Sequence, residues 1–345
     1  MKKILMFVSC LFFISGSIFL KAQTGSSEYR IANKFHVDGD GGWDYLNVDE
    51  STGRIFISHG TVVNVIDEKD GKLIGTIPDT KGVHGIAIAT DLNKAFISNG
   101  RDSSVTIIDL TSLAFITKVA VTGQNPDAII YDPFSHKVFA YNGRTANATV
   151  IDGSANKVIA TIKLDGKPEN SVSDGKGKVY VNIEDKSEIS VINSVTNNVE
   201  QTWSIAPGEE ASGLALDNEN HRLFAVCSNK LMVVLDALSG KVITSLPIGS
   251  GSDGAAFDPS LKRAYSSNGE GTLTVVQEVS PDKFTVLENV PTQRGARTIT
   301  VDKKTHHIFM SCAEYEAANP SDGNTNRRPA VKPGTFMVLD VAPVK

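Results

Sequence analysis

The chain has 345 residues, a formal net charge of −5, 41% hydrophobic and 21% charged residues. That balance describes a folded globular protein and excludes disordered, collagen-like, disulfide-rich and membrane-embedded classes. The acidic total argues against a protein held on nucleic acid by phosphate neutralisation, so no nucleic-acid partner is expected.

Lys2 and Lys3 precede an apolar run from Ile4 to Leu20, and Lys21-Ala22-Gln23 follows. A basic start, a short apolar core and a small residue near a polar exit predict a secretory signal peptide over residues 1–22. The run is interrupted by Ser15-Gly16-Ser17 and is short for a membrane anchor. Cleavage after Ala22 removes three lysines and no acid, taking the net charge from −5 to −8. No later stretch is apolar enough to span a bilayer. Residues 23–345 are therefore expected to form one domain, monomeric, in the periplasm or secreted.

A repeat governs the remainder. An aromatic follows a turn at Phe56, Phe96, Phe139, Tyr180, Phe224, Tyr265 and Phe309, with spacings of 40, 43, 41, 44, 41 and 44 residues. Each is followed by an apolar run ending in a polar residue: Asp67, Asp109, Asp152, Asn193, Asp236, Gln277 and Asp340. Alternation such as Lys157-Val158-Ile159-Ala160-Thr161-Ile162, with turns at Asp70-Gly71 and Ser239-Gly240, is strand chemistry. Nothing sustains a helical period. Seven four-stranded units of about 40 residues predict an all-β, seven-bladed β-propeller. Only five residues follow Asp340, so the seventh unit lacks room for a fourth strand. The segment from Ile31 to Gly39 lines up with the fourth strand of another unit and is expected to complete the last blade and close the ring.

Val138-Phe139-Ala140-Tyr141-Asn142-Gly143, Ala95-Phe96-Ile97-Ser98-Asn99-Gly100, Val150-Ile151-Asp152 and the strand from Gly240 to Ile243 make the chain resemble the YVTN-repeat propellers, the YncE-like proteins. The resemblance covers nearly all of residues 23–345. Tyr180-Val181-Asn182 and Cys227 depart from the usual pattern. The resemblance implies the fold. It does not imply one ligand, because a fold does not carry a function by itself.

Antiparallel order puts the start of each innermost strand and the loop between strands two and three on one face. The first position reads Asp44, His84, Asp127, Glu169, Ser212, Asp253 and Arg297, six of seven ionisable. Such a ring reads as the rim of a binding funnel. A second ring, three residues past each repeat aromatic, reads His59, Asn99, Asn142, Ile183, Cys227, Asn268 and Cys312, followed by Arg101, Arg144, Glu184 and Glu270 in the same loops. Asn-Gly at three of these positions also suits a tight turn. Cys227 and Cys312 fall two blades apart, beyond disulfide reach, and are expected as free thiols. Asp44, His59 and His84 are expected to converge, and a carboxylate with two imidazoles suits a divalent metal ion. His59 and His84 are also the candidate catalytic bases.

Blade seven carries an insertion: 31 residues separate Phe309 from Asp340, where the other units use 11 to 13. The long loop, about residues 313–334, is expected to project over the polar face. Gly249-Ser250-Gly251-Ser252-Asp253-Gly254 spells a dinucleotide fingerprint but enters a strand instead of a helix, which removes the phosphate site. Asp38-Gly39-Asp40-Gly41-Gly42 lacks the later ligands of a calcium loop.

Three functions suit these residues. The funnel can bind a small polar or cationic ligand without chemistry, and several acids converging in one concavity favour it. It can instead house a metal-assisted hydrolase, lactonase-like, or a lyase. The propeller can also serve as a scaffold for protein partners.

Overall fold

Twenty-eight strands and two single-turn 3-10 helices, Thr90–Leu92 and Glu184–Lys186, make up the regular structure of the described residues, 28–39, 41–316 and 330–344, in this computed structural model. The expected signal segment and most of the blade-seven insertion lie outside the described residues. Blade one is Trp43–Asp49, Arg54–His59, Val62–Asp67 and Leu73–Ile77. Blade two is Val83–Ala89, Lys94–Asn99, Ser104–Asp109 and Phe115–Ala120. Blade three is Pro126–Asp132, Lys137–Asn142, Asn147–Asp152 and Lys157–Lys163. Blade four is Pro168–Ser173, Lys178–Ile183, Glu188–Asn193 and Asn198–Ser204. Blade five is Ala211–Asp217, Arg222–Cys227, Leu231–Asp236 and Val242–Pro247. Blade six is Ser252–Asp258, Arg263–Asn268, Thr272–Ser280 and Lys283–Pro291. Blade seven is Thr300–Val301, Ile308–Cys312 and Met337–Pro343, completed on its outside by Tyr29–His36.

Every blade is an antiparallel four-stranded sheet in simple order, and the seventh contains the ring closure. Tyr29–His36 runs antiparallel to Met337–Pro343, with Phe35 opposite Val338. Asn33 Nδ2 donates to Asp340 Oδ2 at 2.7 Å. Tyr29 reaches past its own blade: its buried hydroxyl lies 2.8 Å from that of Tyr265 in blade six and accepts from Arg263 Nη1 at 2.9 Å. The first strand therefore ties two blades as well as closing one.

Burial follows strand position. Strands two and three are covered on both faces by neighbouring blades, which is why they read as apolar runs such as Ile55, Phe56 and Ile57. The outermost strands meet water on one side and alternate, as Lys157–Lys163 does. The repeat aromatic fills the seam to the next blade. Phe309 of blade seven packs with Ile55 and Ile57 of blade one, and Phe139 of blade three with Val179 and Val181 of blade four. Cations lock the same seams at the other face. Lys94 Nζ donates to the Gly153 and Ser154 carbonyls at 2.8 and 2.9 Å, and Lys137 Nζ to those of Ser194 and Val195 at 2.7 and 2.9 Å.

Candidate functional site

The first two strands of blades one to six lose register near the start of the innermost strand: between Trp43 and Leu46, Val83 and Ile86, Pro126 and Ile129, Pro168 and Ser171, Ala211 and Gly213, and Ser252 and Gly254. Asp44, His84, Asp127, Glu169, Ser212 and Asp253 fall inside these irregularities. A bulge frees a residue from the ladder and re-aims its side chain. Buried polar side chains of strand two catch the backbone so released. Ser98 Oγ donates to the Asp127 carbonyl at 2.5 Å, Asn182 Nδ2 to the Ser212 carbonyl at 3.1 Å, and Ser311 Oγ to the Asp44 carbonyl at 3.3 Å. Ser267 Oγ donates likewise to the Arg297 carbonyl. Each comes from the blade before, so the rim of one blade is set by its neighbour.

The rim side chains form an arc of alternating charge over five blades. His84 Nδ1 lies 2.7 Å from Asp44 Oδ2 and 3.6 Å from Asp127 Oδ1. Arg297 Nη2 reaches Asp44 Oδ1 at 3.4 Å while its Nε donates to Asp253 Oδ2 at 2.6 Å. Asp44 is thus the keystone, holding one cation on each oxygen. In blade four Lys167 Nζ pairs with Glu169 at 2.6 Å and also with Glu184. Ser212 ends the arc, its hydroxyl donating to the Ser252 carbonyl at 3.0 Å.

The mouth holds more acid than base. Asp44, Asp127, Glu169, Glu184 and Asp253 face Arg297, Lys167 and His84, five acids to three bases even with a protonated imidazole. The ionisation equilibria record the strain. Burial, reinforced by the Asp44 charge, pushes Asp127 up to about 6 against the pull of His84. Burial likewise pushes Asp253 up to about 6, although Arg297 opposes it. Glu169 rises to about 8 through burial and the Asp127 charge, and the Lys167 ion pair does not offset them. Burial disfavours the His84 imidazolium, but the Asp44 hydrogen bond and the Asp127 charge outweigh it and raise the group above its ordinary value.

Tyr45 stands beneath this ring. Burial, then the charges of Asp127, Glu169, Asp44 and Asp253, raise its phenol well above the ordinary value, and its side chain packs against the apolar cluster of blades three and four. It lines a cavity of about 190 Å³ with Ile86, Ala128, Ile130 and Asn170. A larger cavity of about 380 Å³ opens at the other end of the channel, where Lys303 lies 3.4 Å from Glu50. It gathers no comparable charge. The mouth is the better site on chemistry.

The second ring does not belong to the mouth. Asn99, Asn142 and Asn268 are fully buried, donating to hydroxyls of strand three: Asn99 to Thr106 at 2.8 Å, Asn142 to Thr149 at 2.9 Å and Asn268 to Thr274 at 2.9 Å. They brace their own blades. Ile183 is buried among apolar side chains of blades three and four. Cys227 and Cys312 are free thiols in apolar clusters, and burial pushes both up to about 12, which keeps them protonated. His59, expected beside Asp44 and His84, is 1% exposed, with its ring 4.2 Å from that of Phe336 and Nδ1 3.2 Å from Asn64 Oδ1. Packing turns it outward, into the blade. Asp127 takes the place foreseen for it: ligand atoms of Asp44, His84 and Asp127 all lie within 4.8 Å of one another. Arg101, Arg144 and Glu270 are exposed in loops on this face, and Glu270 is held by Ser250 Oγ at 2.5 Å.

Tyr45, Lys167 and the strand-two polar residues went unnoticed in the sequence. One signal was present. The residues after each rim position are Gly85, Ala128, Asn170, Gly213, Gly254 and Thr298, against which Tyr45 is the single bulky member.

No protein-family model and no curated protein matches the chain. Among solved structures it is similar to a chain of Kuenenia stuttgartiensis hydrazine synthase, at 17% identity over 80% of this chain and 94% of that one, with a TM-score of 0.68. It is similar also to U3-55K, at 9% identity over 92% of this chain and 99% of that one, with a TM-score of 0.75. The WD40 repeats of RRP9 give 9% identity, coverage of 92% and 98%, and a TM-score of 0.75. These likenesses and the blade topology make the chain a seven-bladed β-propeller.

Proposed function

We propose that the protein is a YncE-like binding propeller of the periplasm or the extracellular medium, monomeric, which captures a small cationic ligand at the acid-rich mouth. The observation that carries this reading is the carboxylate excess of the mouth, with three of its acids raised in pKa. Like charges gathered at a half-buried site are costly unless a cation meets them. The signal-like residues 1–22 support export, and the resemblance of the repeats supports the family. A panel of divalent ions and of mono- to polyamines, screened by thermal shift, tests the reading. A cation that binds the folded state raises the melting temperature by mass action. Asp44→Asn and Asp127→Asn are expected to abolish that rise. A panel in which nothing stabilises, or in which the variants respond as the wild type does, contradicts it.

The convergence of Asp44, His84 and Asp127 favours a second reading, a metal-assisted hydrolase or lyase. Two carboxylates and an imidazole suit a divalent ion with open positions, which supplies an activated water and a Lewis acid when bound. In that case Asp44 and Asp127 act as ligands and His84 cannot also be a free base. Elemental analysis of protein purified without chelator, joined to an assay of ester and lactone hydrolysis, separates the readings: a stoichiometric metal and a turnover both lost in Asp127→Asn support the enzyme, and a metal without turnover supports capture alone.

A further inference from the structure

Five innermost strands end in, or just before, a buried aspartate: Asp49, Asp132, Asp217, Asp258 and Asp302. Each carboxylate accepts a backbone N–H from the turn that follows, from Ser51, Ser135, Glu219, Ser260 and Lys304 at 2.6 to 3.1 Å. Such a group is fixed as an acceptor and asks a donor of whatever faces it. Three receive one. Arg54 donates to Asp49 at 3.2 Å, Ser173 of blade four to Asp132 at 2.6 Å, and His306 of blade seven lies 2.6 Å from Asp258. The other two face a second acid. Glu68 of blade one meets Asp302 of blade seven, and Glu278 of blade six meets Asp217 of blade five. Glu68 and Glu278 occupy the same repeat position, one past the polar residue that closes the apolar run of strand three. Both are buried, and Oε2 of each receives no hydrogen bond from any donor among the described residues.

We infer that Glu68 and Glu278 are held as neutral acids, each donating its proton to the aspartate of the adjoining blade, so that two of the seven seams are bonded through a proton and loosen when it is lost.

The surroundings fit. Burial, then Asp302, push Glu68 up to about 7; Asp67 adds to this, and only His307, itself 2.7 Å from Asp340, opposes it. Burial, then Asp217, push Glu278 up to about 7, against Lys262 and the amide of Asn220, which donates to Oε1 at 2.9 Å. The proton belongs to each pair as a unit. A folded pKa above the unfolded value of about 4.3 gives stability fully present below that value. It is lost as pH rises through the folded pKa, about 7 here. The ring is tightest in a mildly acidic medium.

Glutamine keeps the shape and donates without titrating. Thermal unfolding of the full chain is therefore compared for wild type, Glu68→Gln, Glu278→Gln and the double variant between about pH 5 and about pH 9. The double variant is expected to gain on the wild type by several degrees as pH rises from about 5 to about 7, and to hold that gain, nearly constant, above neutrality. Asp127, Glu169 and Asp253 titrate in the same window but are common to all four proteins and cancel in the difference. A difference that stays constant with pH overturns the inference. Should the double variant fail to fold, carboxyl carbon-13 shifts of wild-type protein, assigned with the single variants, decide. Glu68 and Glu278 neutral at about pH 6 support it, and both ionised there overturn it.

Discussion

Asp44 carries more of the mouth than any other side chain, because His84 and Arg297 both lean on it. Asp44→Asn should lower the His84 pKa toward the ordinary value near 6.5, read by NMR titration of the imidazole. The sign for stability follows. A raised histidine contributes below its unfolded pKa and stops contributing as pH rises through the folded one. Asp44→Asn should therefore cost about 1 kcal/mol more in mild acid than in alkali, given the partial exposure of both groups, because in alkali the Arg297 pair alone is forfeited. Equal losses at both ends of that range would show that the His84 pair contributes nothing and that Asp44 acts through Arg297 and packing alone. The rim was legible in the sequence because a strand start recurs at a fixed offset. The second ring was misread because sequence spacing locates a strand end without saying which way its side chain turns. Asn99 and His59 turn away from the channel into their own blades, toward hydroxyl, amide and aromatic partners that only packing brings near.

At the scale of elements, the innermost strands approach so closely that backbone meets backbone. A Cβ on Gly213 would lie 2.6 Å from Ala255 N and 2.7 Å from Gly254 C, atoms of the next blade that cannot swing aside. Gly213→Ala should therefore destabilise by about 1–3 kcal/mol, the usual cost of overpacking, measured by chemical denaturation. An unchanged midpoint would mean that the inner strands have room to part. Strand number, blade number and the swapped outer strand were all legible, because a period near 40 residues and a missing fourth strand are properties of the chain alone. The bulges were not. They depend on hydroxyl and amide groups of the neighbouring blade, such as Ser98 and Asn182, that a single repeat does not reveal.

The whole molecule is a ring closed by non-covalent pairing, and its cooperativity rests on the strand Tyr29–His36. Removing Ile31 to Val37 should leave Met337–Pro343 as an open edge and unseat Phe35 and Val37 from the core of blades seven and one. A broadened, early unfolding transition is expected, and a melting temperature equal to that of the intact chain would show that the ring closes without it. Cation capture at the mouth is measured by calorimetric titration. The cation that stabilises most in the thermal screen is titrated into wild type and Asp127→Asn near pH 7, in two buffers of different ionisation enthalpy. Because Glu169, up at about 8, still holds its proton there, binding is predicted to release protons and, as Asp127 and Asp253 protonate near about 6, to weaken as pH falls. A buffer-dependent heat that Asp127→Asn diminishes or abolishes is expected; binding without proton release, and indifferent to that substitution, would place the cation outside the mouth.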